Sequence, residues 1–239
     1  MRRKSLWLAV AMLLLVGGGV LAALAALTQH EPAFYARCAS PPGEQRRELS
    51  KDFSLRKFAA FTTSIYNGGN RQTGVWRGSF TEADLNSFFA EEFLSTGLAD
   101  KLLPEGISDL RVCLEQDRMR LGFRYGSPPW STVVSITFRV WLAKGESNVV
   151  VLELQSLHAG ALPISAQSLL DQMSEVLRQH NIQMTWYRHN GHPTAAIKFQ
   201  SDQPRPSAQL QQVELKPGML VITGRSNDLL PTPPPPAAP

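Results

Sequence analysis

The chain has 239 residues, with 24 Lys and Arg against 20 Asp and Glu and a formal net charge of +4. Setting aside Arg2, Arg3 and Lys4 leaves 21 basic against 20 acidic residues, so the excess belongs to the first few residues. The other basic residues are scattered rather than striped, which excludes nucleic-acid binding as the meaning of the charge.

Met1-Arg2-Arg3-Lys4 precedes an uncharged run from Leu6 to Leu27. That length is close to the ~20 residues that cross a ~30 Å hydrocarbon core. No Lys or Arg follows until Arg37, so the charge bias predicts a cytoplasmic N-terminus and a cell-envelope domain beyond the membrane. Ala23-Leu24-Ala25 has the form of a cleavage site. The apolar run nevertheless exceeds the ~7–15 residues of a signal-peptide core, which favours an uncleaved single-pass anchor. The expected organisation is a cytoplasmic tip and transmembrane anchor over 1–27 and a juxtamembrane linker over 28–43. One exported domain over 44–228 and a disordered Pro-rich tail over 229–239 complete it. Pro32, Pro41 and Pro42 are expected to keep the linker free of regular structure.

Residues 44–66 read as a helix, with Leu49, Phe53, Phe58, Phe61 and Ile65 recurring at roughly helical spacing before Asn67-Gly68-Gly69. A short strand over 73–80 leads to Thr81-Glu82-Ala83-Asp84, a capping-box start to a helix carrying Leu85, Phe88, Phe89 and Phe93. The period then changes to two. Strands around 110–114, 119–125, 131–142 and 148–157 predict a four-stranded antiparallel meander, with Val134, Ile136, Phe138, Val140 and Leu142 on one face. Gly160 to Pro163 breaks the pattern, and Ser165 caps a helix to about residue 180 with Leu169, Leu170, Met173, Val176 and Leu177 on its apolar side. Two hairpins follow, turning at His189-Asn190-Gly191-His192 and at Pro217-Gly218. The fold class is therefore α+β: an apolar N-terminal helix, then one domain of curved antiparallel sheet packed with about three helices.

The motifs of catalysis are not found: no Gly-x-Ser-x-Gly elbow, phosphate-cradling loop, His-Glu-x-x-His or Cys-x-x-Cys. The reading is a non-enzyme without cofactor or metal. His189 and His192 flank one turn and read as exposed turn residues rather than metal ligands. Glu91-Glu92 reads as a solvated helix face. Cys38 and Cys113 could form one disulfide in an oxidising compartment; two unpaired thiols are the alternative, since Cys113 suits a small core position. Phe88, Phe89, Phe93, Phe138, Leu169, Met173 and Leu177 are either ordinary core or the lining of an apolar groove between helices and sheet, wide enough for an acyl chain.

A strand, then Thr81-Glu82-x-x-Leu85-Asn86 opening a helix, then a meander ending in Gly160-x-Leu162-Pro163 before another helix, resembles the YpmS-like family of single-pass bacterial envelope proteins. The resemblance spans about residues 73–224 and implies a fold similar to the tubular lipid-binding (TULIP) domains, an apolar channel under a curved sheet, and no catalytic residues. The expected function is a membrane-tethered domain that binds lipid or another amphiphile. The alternatives are a scaffold module docking on an envelope protein through sheet edges or the Pro-rich tail, and, third, an enzyme.

Overall fold

An uncharged run this long satisfies its backbone groups internally only as a helix, and the computed structural model forms α1 over Arg2–Thr28. The structure describes residues 2–70, 72–103, 105–127, 130–165, 183–199 and 208–226, together with 167, 170–171, 174–175 and 178. One stretch of these, Leu14–Arg37, is long and apolar enough to cross a membrane; it lies near the N-terminus, and its apolar window is not buried against the rest of the chain.

The expected helix over 44–66 forms as α3 (Gly43–Asp52), a π-helical segment (Phe53–Phe58) and α4 (Ala59–Tyr66), continuous with one another. The interval of five between Phe53 and Phe58 explains the π turn. An α-helix would swing the two rings apart, whereas the wider turn stacks them at 6.0 Å. Phe53 then meets Phe80 and Phe88 at 5.7 and 5.2 Å, and Phe61 meets Trp76 and Phe80 at 5.6 and 5.4 Å. This aromatic ladder fastens the helix to strand β1 (Val75–Thr81) and helix α5 (Glu82–Ala90).

Thr81 caps α5 as its sequence predicts: its hydroxyl accepts from the Asp84 backbone N–H, and the Asp84 carboxylate accepts from the Thr81 N–H. Two shorter helices follow, α6 (Glu92–Ser95) and α7 (Leu98–Leu102). The meander forms as β2 (Ile107–Glu115), β3 (Arg118–Tyr125), β4 (Thr132–Leu142) and β5 (Val149–Ala159), all antiparallel. The short β6 (Leu162–Pro163) pairs with β5. The hairpin of β7 (Gln183–His189) and β8 (His192–Lys198) joins the far edge of β5, giving a seven-stranded sheet.

The single expected sheet is in fact two. The last hairpin, β9 (Ala208–Lys216) and β10 (Met219–Ser226), pairs with β1 instead of the meander, as a three-stranded sheet. A pairing between residues 75–81 and 219–225 has no local signal, because strand alternation fixes which face is apolar but not which partner is chosen.

The segment expected as an irregular linker is also different. Ala33–Arg37 forms a helical turn, α2, starting just after Pro32, where a proline suits a helix start. Phe34, Tyr35 and Cys38 are buried with Cys113 and Val133 on one face of the meander. Tyr35 is fully buried; its hydroxyl donates to the Asp109 carbonyl at 2.6 Å, and the Arg111 guanidinium lies 4.1 Å above its ring. The opposite face carries the main core: Phe123, Val134, Ile136, Phe138, Leu154 and Leu157 under Leu170. Each such fully buried side chain contributes ~1.5–3 kcal/mol of transfer free energy.

Candidate functional site

Helix α5 lies along the free edge of β2, where unpaired strand N–H and C=O groups need partners. Glu82 and Asn86 are four residues apart, so they share one helix face and are separated by ~6 Å along its axis. That rise matches the ~6.8 Å between Val112 and Leu114 on the strand. Asn86 accepts from the Val112 N–H at 2.7 Å and donates to the Val112 carbonyl at 2.8 Å, as a neighbouring strand would. It also donates to the Cys38 carbonyl at 3.0 Å. Glu82 accepts from the Leu114 N–H at 2.8 Å. Thr81, Glu82 and Asn86, three of the residues that carried the family resemblance, thus serve to cap a helix and close a sheet edge. The fourth, Leu85, packs with Phe89 and Leu220 against the cluster of Val112, Leu114 and Leu215.

This places a second apolar cluster, Val112, Leu114 and Leu215, beside the main core. Met119, Leu121 and Val140 pack against both clusters, yet all three remain partly exposed. They mark a seam on the sheet, with Phe89, Leu215 and Leu220 on one side and the Leu170-covered core on the other. Leu152 and Trp186 extend the partly exposed apolar surface along β5 and β7, and the Trp186 indole N–H donates to the Ser174 hydroxyl at 2.7 Å. Such a surface can hold a hydrocarbon chain by burial alone and needs few polar contacts.

The groove candidates read from the sequence divide on this geometry. Phe89 lies at the seam. Phe88 leans on Phe53, and Phe93 is buried between Phe88 and Phe89, so these two belong to the aromatic packing of α5. Phe138 is only 1 % exposed, a core residue with no free surface to offer a ligand. Leu169, Met173 and Leu177 lie outside the described residues. Sequence pattern missed the partly exposed positions of Met119, Leu121 and Leu152; their signal was the apolar alternation of β3 and β5.

A second feature lies where α1 meets the domain. The Leu27 carbonyl accepts from the Ala161 N–H at 2.8 Å, and the Thr28 carbonyl accepts from the Thr132 hydroxyl. Gly160 allows this approach: a Cβ there would sit 2.3 Å from the Leu27 carbonyl oxygen. Glu31 pairs with Arg124 at 2.6 Å. The two loops so joined carry Trp130, 79 % exposed, and Ile164, 43 % exposed. Trp130 is two residues from Thr132, so its Cα lies within ~7 Å of the Thr132 Cα.

Several polar groups elsewhere have partners that account for them. Lys57 reaches both oxygens of the buried Asp84 at 2.7 and 2.8 Å. Burial works to raise the Asp84 carboxyl, but the Lys57 ammonium and the Thr81 hydrogen bonds outweigh it and hold it below its ordinary value. His189 and His192 face each other across the hairpin, and His189 Nδ1 lies 2.9 Å from the Glu153 carboxylate. Glu91 pairs with Arg46 and Arg47. Burial raises the Tyr35 hydroxyl well above its ordinary value, with the neighbouring Asp109 adding to the rise.

Comparison with protein-family models, curated proteins and solved structures found no match to this chain.

Proposed function

We propose that this chain is a single-pass membrane protein, N-terminus cytoplasmic, whose α+β domain stands on the extracytoplasmic surface and binds a lipid or another amphiphile. The observation that carries the binding is the seam. Met119, Leu121 and Val140 touch two apolar clusters without being enclosed by either. An apolar strip in that position gains ~25 cal/mol for each Å² that an acyl chain covers. The resemblance to the YpmS-like family supports the same reading through its likeness to TULIP domains, which enclose an apolar channel beneath an antiparallel sheet.

The membrane placement rests on α1 and on what surrounds its end. The hydrogen bonds of Leu27 and Thr28 tie the helix directly to the domain, so the bilayer lies against the loops that carry Trp130 and Ile164. An exposed Trp beside the end of a membrane helix suits the bilayer interface, where an indole ring has both an apolar body and a polar N–H. A ligand drawn from the bilayer then travels only the height of the domain.

The test is native mass spectrometry of the fragment beginning at Thr28, released gently from the membrane fraction. The fragment is expected to carry an amphiphile-mass adduct that Met119→Glu removes while circular dichroism shows an unchanged fold. A folded fragment free of adduct, and unable to take up a fluorescent fatty acid, overturns the binding. A scaffold reading is favoured by one feature: β7 ends the seven-stranded order and offers Met184 and Trp186 half-exposed along it.

A further inference from the structure

Cys38 ends α2, and Cys113 lies in β2, 75 positions further along the sequence. Their backbones are held together by Asn86, which bonds the Cys38 carbonyl and both backbone groups of Val112. Both thiols are buried and unbonded. The two sulfurs and a Glu82 carboxylate oxygen lie within 4.8 Å of one another. Arg37 reaches over the group from solvent and donates to the Cys113 sulfur at 3.0 Å and to Glu115 at 3.4 Å.

Three such ligand atoms suggest a cation site, but the surroundings argue against one. A structural zinc takes four ligands. Here the Arg37 guanidinium already occupies the Cys113 sulfur with a positive charge, and only three ligand atoms come together among the described residues. What the arrangement favours is sulfur–sulfur chemistry. A negative charge developing on Cys113 has a cation at 3.0 Å, and the Glu82 carboxylate is placed to take a proton. Burial and its contacts with Cys113 and Glu82 push the Cys38 thiol well above its ordinary range; the Arg37 cation on Cys113 makes that sulfur the attacking one.

We propose that Cys38 and Cys113 are a redox pair whose disulfide staples the juxtamembrane segment onto the sheet. The oxidant is a protein or small-molecule disulfide of the envelope. The Cys113 thiolate attacks one sulfur of that disulfide and releases the other as a thiol. Cys38 then attacks the mixed disulfide at Cys113 and releases the second thiol. One S–S bond forms in this chain and one breaks in the oxidant; two electrons and two protons pass to the oxidant. The gap to close is from within 4.8 Å to the ~2 Å of a disulfide. The proposal uses the extracytoplasmic placement but is independent of amphiphile binding.

The experiment takes the full-length chain in detergent, equilibrates it with excess glutathione disulfide, denatures it and adds a polyethylene-glycol maleimide before or after reduction. The expected result is no adduct before reduction, two adducts after it, and a Cys38 peptide joined to a Cys113 peptide with the loss of two hydrogen masses. Cys38→Ser and Cys113→Ser should each leave no intramolecular link. Two adducts before reduction would overturn the pairing. So would protection that a metal chelator lifts and a reductant does not, which would make the group a metal centre. The same assay on native membranes separates the two readings: pairing with glutathione disulfide but free thiols in membranes supports the pair and contradicts the extracytoplasmic placement.

Discussion

One methyl group at Gly122 tests whether the juxtamembrane segment is truly packed on the sheet. Gly122 lies in β3 opposite Ser135 and Arg111, with no positive φ to require glycine. What excludes a side chain there is Tyr35. A Cβ on Gly122 would sit 2.5 Å from Tyr35 Cδ2 and 3.1 Å from Cε2, with Phe34 Cζ at 3.3 Å. The ring is poorly placed to retreat, since its hydroxyl is bound to Asp109 and the Tyr35 carbonyl accepts from Arg111 at 2.7 Å. Overpacking of this kind costs ~1–3 kcal/mol. In a Tyr35→Ala background the two closest contacts are gone and only Phe34 Cζ at 3.3 Å remains, while alanine is favoured over glycine in a strand by ~0.5–1 kcal/mol. Gly122→Ala therefore destabilises the wild type and stabilises Tyr35→Ala, with a coupling of about 1–3 kcal/mol, the overpacking cost itself, since the strand preference is common to both backgrounds. Urea unfolding of the four detergent-solubilised full-length proteins, followed by near-ultraviolet circular dichroism, measures it as a shift of midpoint at constant slope. The same destabilisation in both backgrounds would refute the docking of Tyr35 on Gly122.

Asp84→Asn should cost about 1–3 kcal/mol, less than a fully enclosed pair, because Lys57 retains 37 % of its side-chain exposure and can rehydrate. Since the folded Asp84 carboxyl lies below its ordinary value, its contribution is fully present above the unfolded pKa of ~3.9 and is lost as pH falls through the folded one. Urea midpoints measured from pH 7 downward should converge for wild type and Asp84→Asn in acid, and parallel curves would contradict the ion pair. Asn86→Ala strips partners from the Val112 N–H, the Val112 carbonyl and the Cys38 carbonyl, so a loss of about 3 kcal/mol and faster hydrogen exchange at the Val112 amide are expected. Wild-type protection at that amide in Asn86→Ala would show that α5 does not seal the β2 edge.

Local features of this fold were legible in the sequence, and non-local ones were not. Thr81 and Asp84 announce a helix start because both partners lie within one turn. The meander is legible because each strand alternates and its turns are short. The roles of Glu82 and Asn86 are hidden, since a polar pair at i and i+4 looks like any solvated helix face until a strand edge meets it. Proline masked the packing of residues 33–38, although Phe34 and Tyr35 are unusual in a free linker. Gly122, isolated in a strand pattern, was a second signal, because such a glycine often marks a close approach. The seam was half legible: the apolar face of Val134 to Leu142 was plain, but the extent of its covering depends on residues brought in from β9 and α5.

In the proposed function, hydrocarbon enters the seam on the sheet as well as surrounding α1. The direct measurement uses the full-length chain in bilayer nanodiscs containing a phospholipid with a diazirine on its acyl chain, irradiated, digested and mapped by mass spectrometry. Lipid binding in the seam should give labelled peptides from α1 and also from β3 and β4, at Met119, Leu121 and Val140, with the latter set lost on Met119→Glu. Labelling confined to α1 and the loops of Trp130 and Ile164 would contradict it, leaving a domain that touches the membrane without taking a lipid from it.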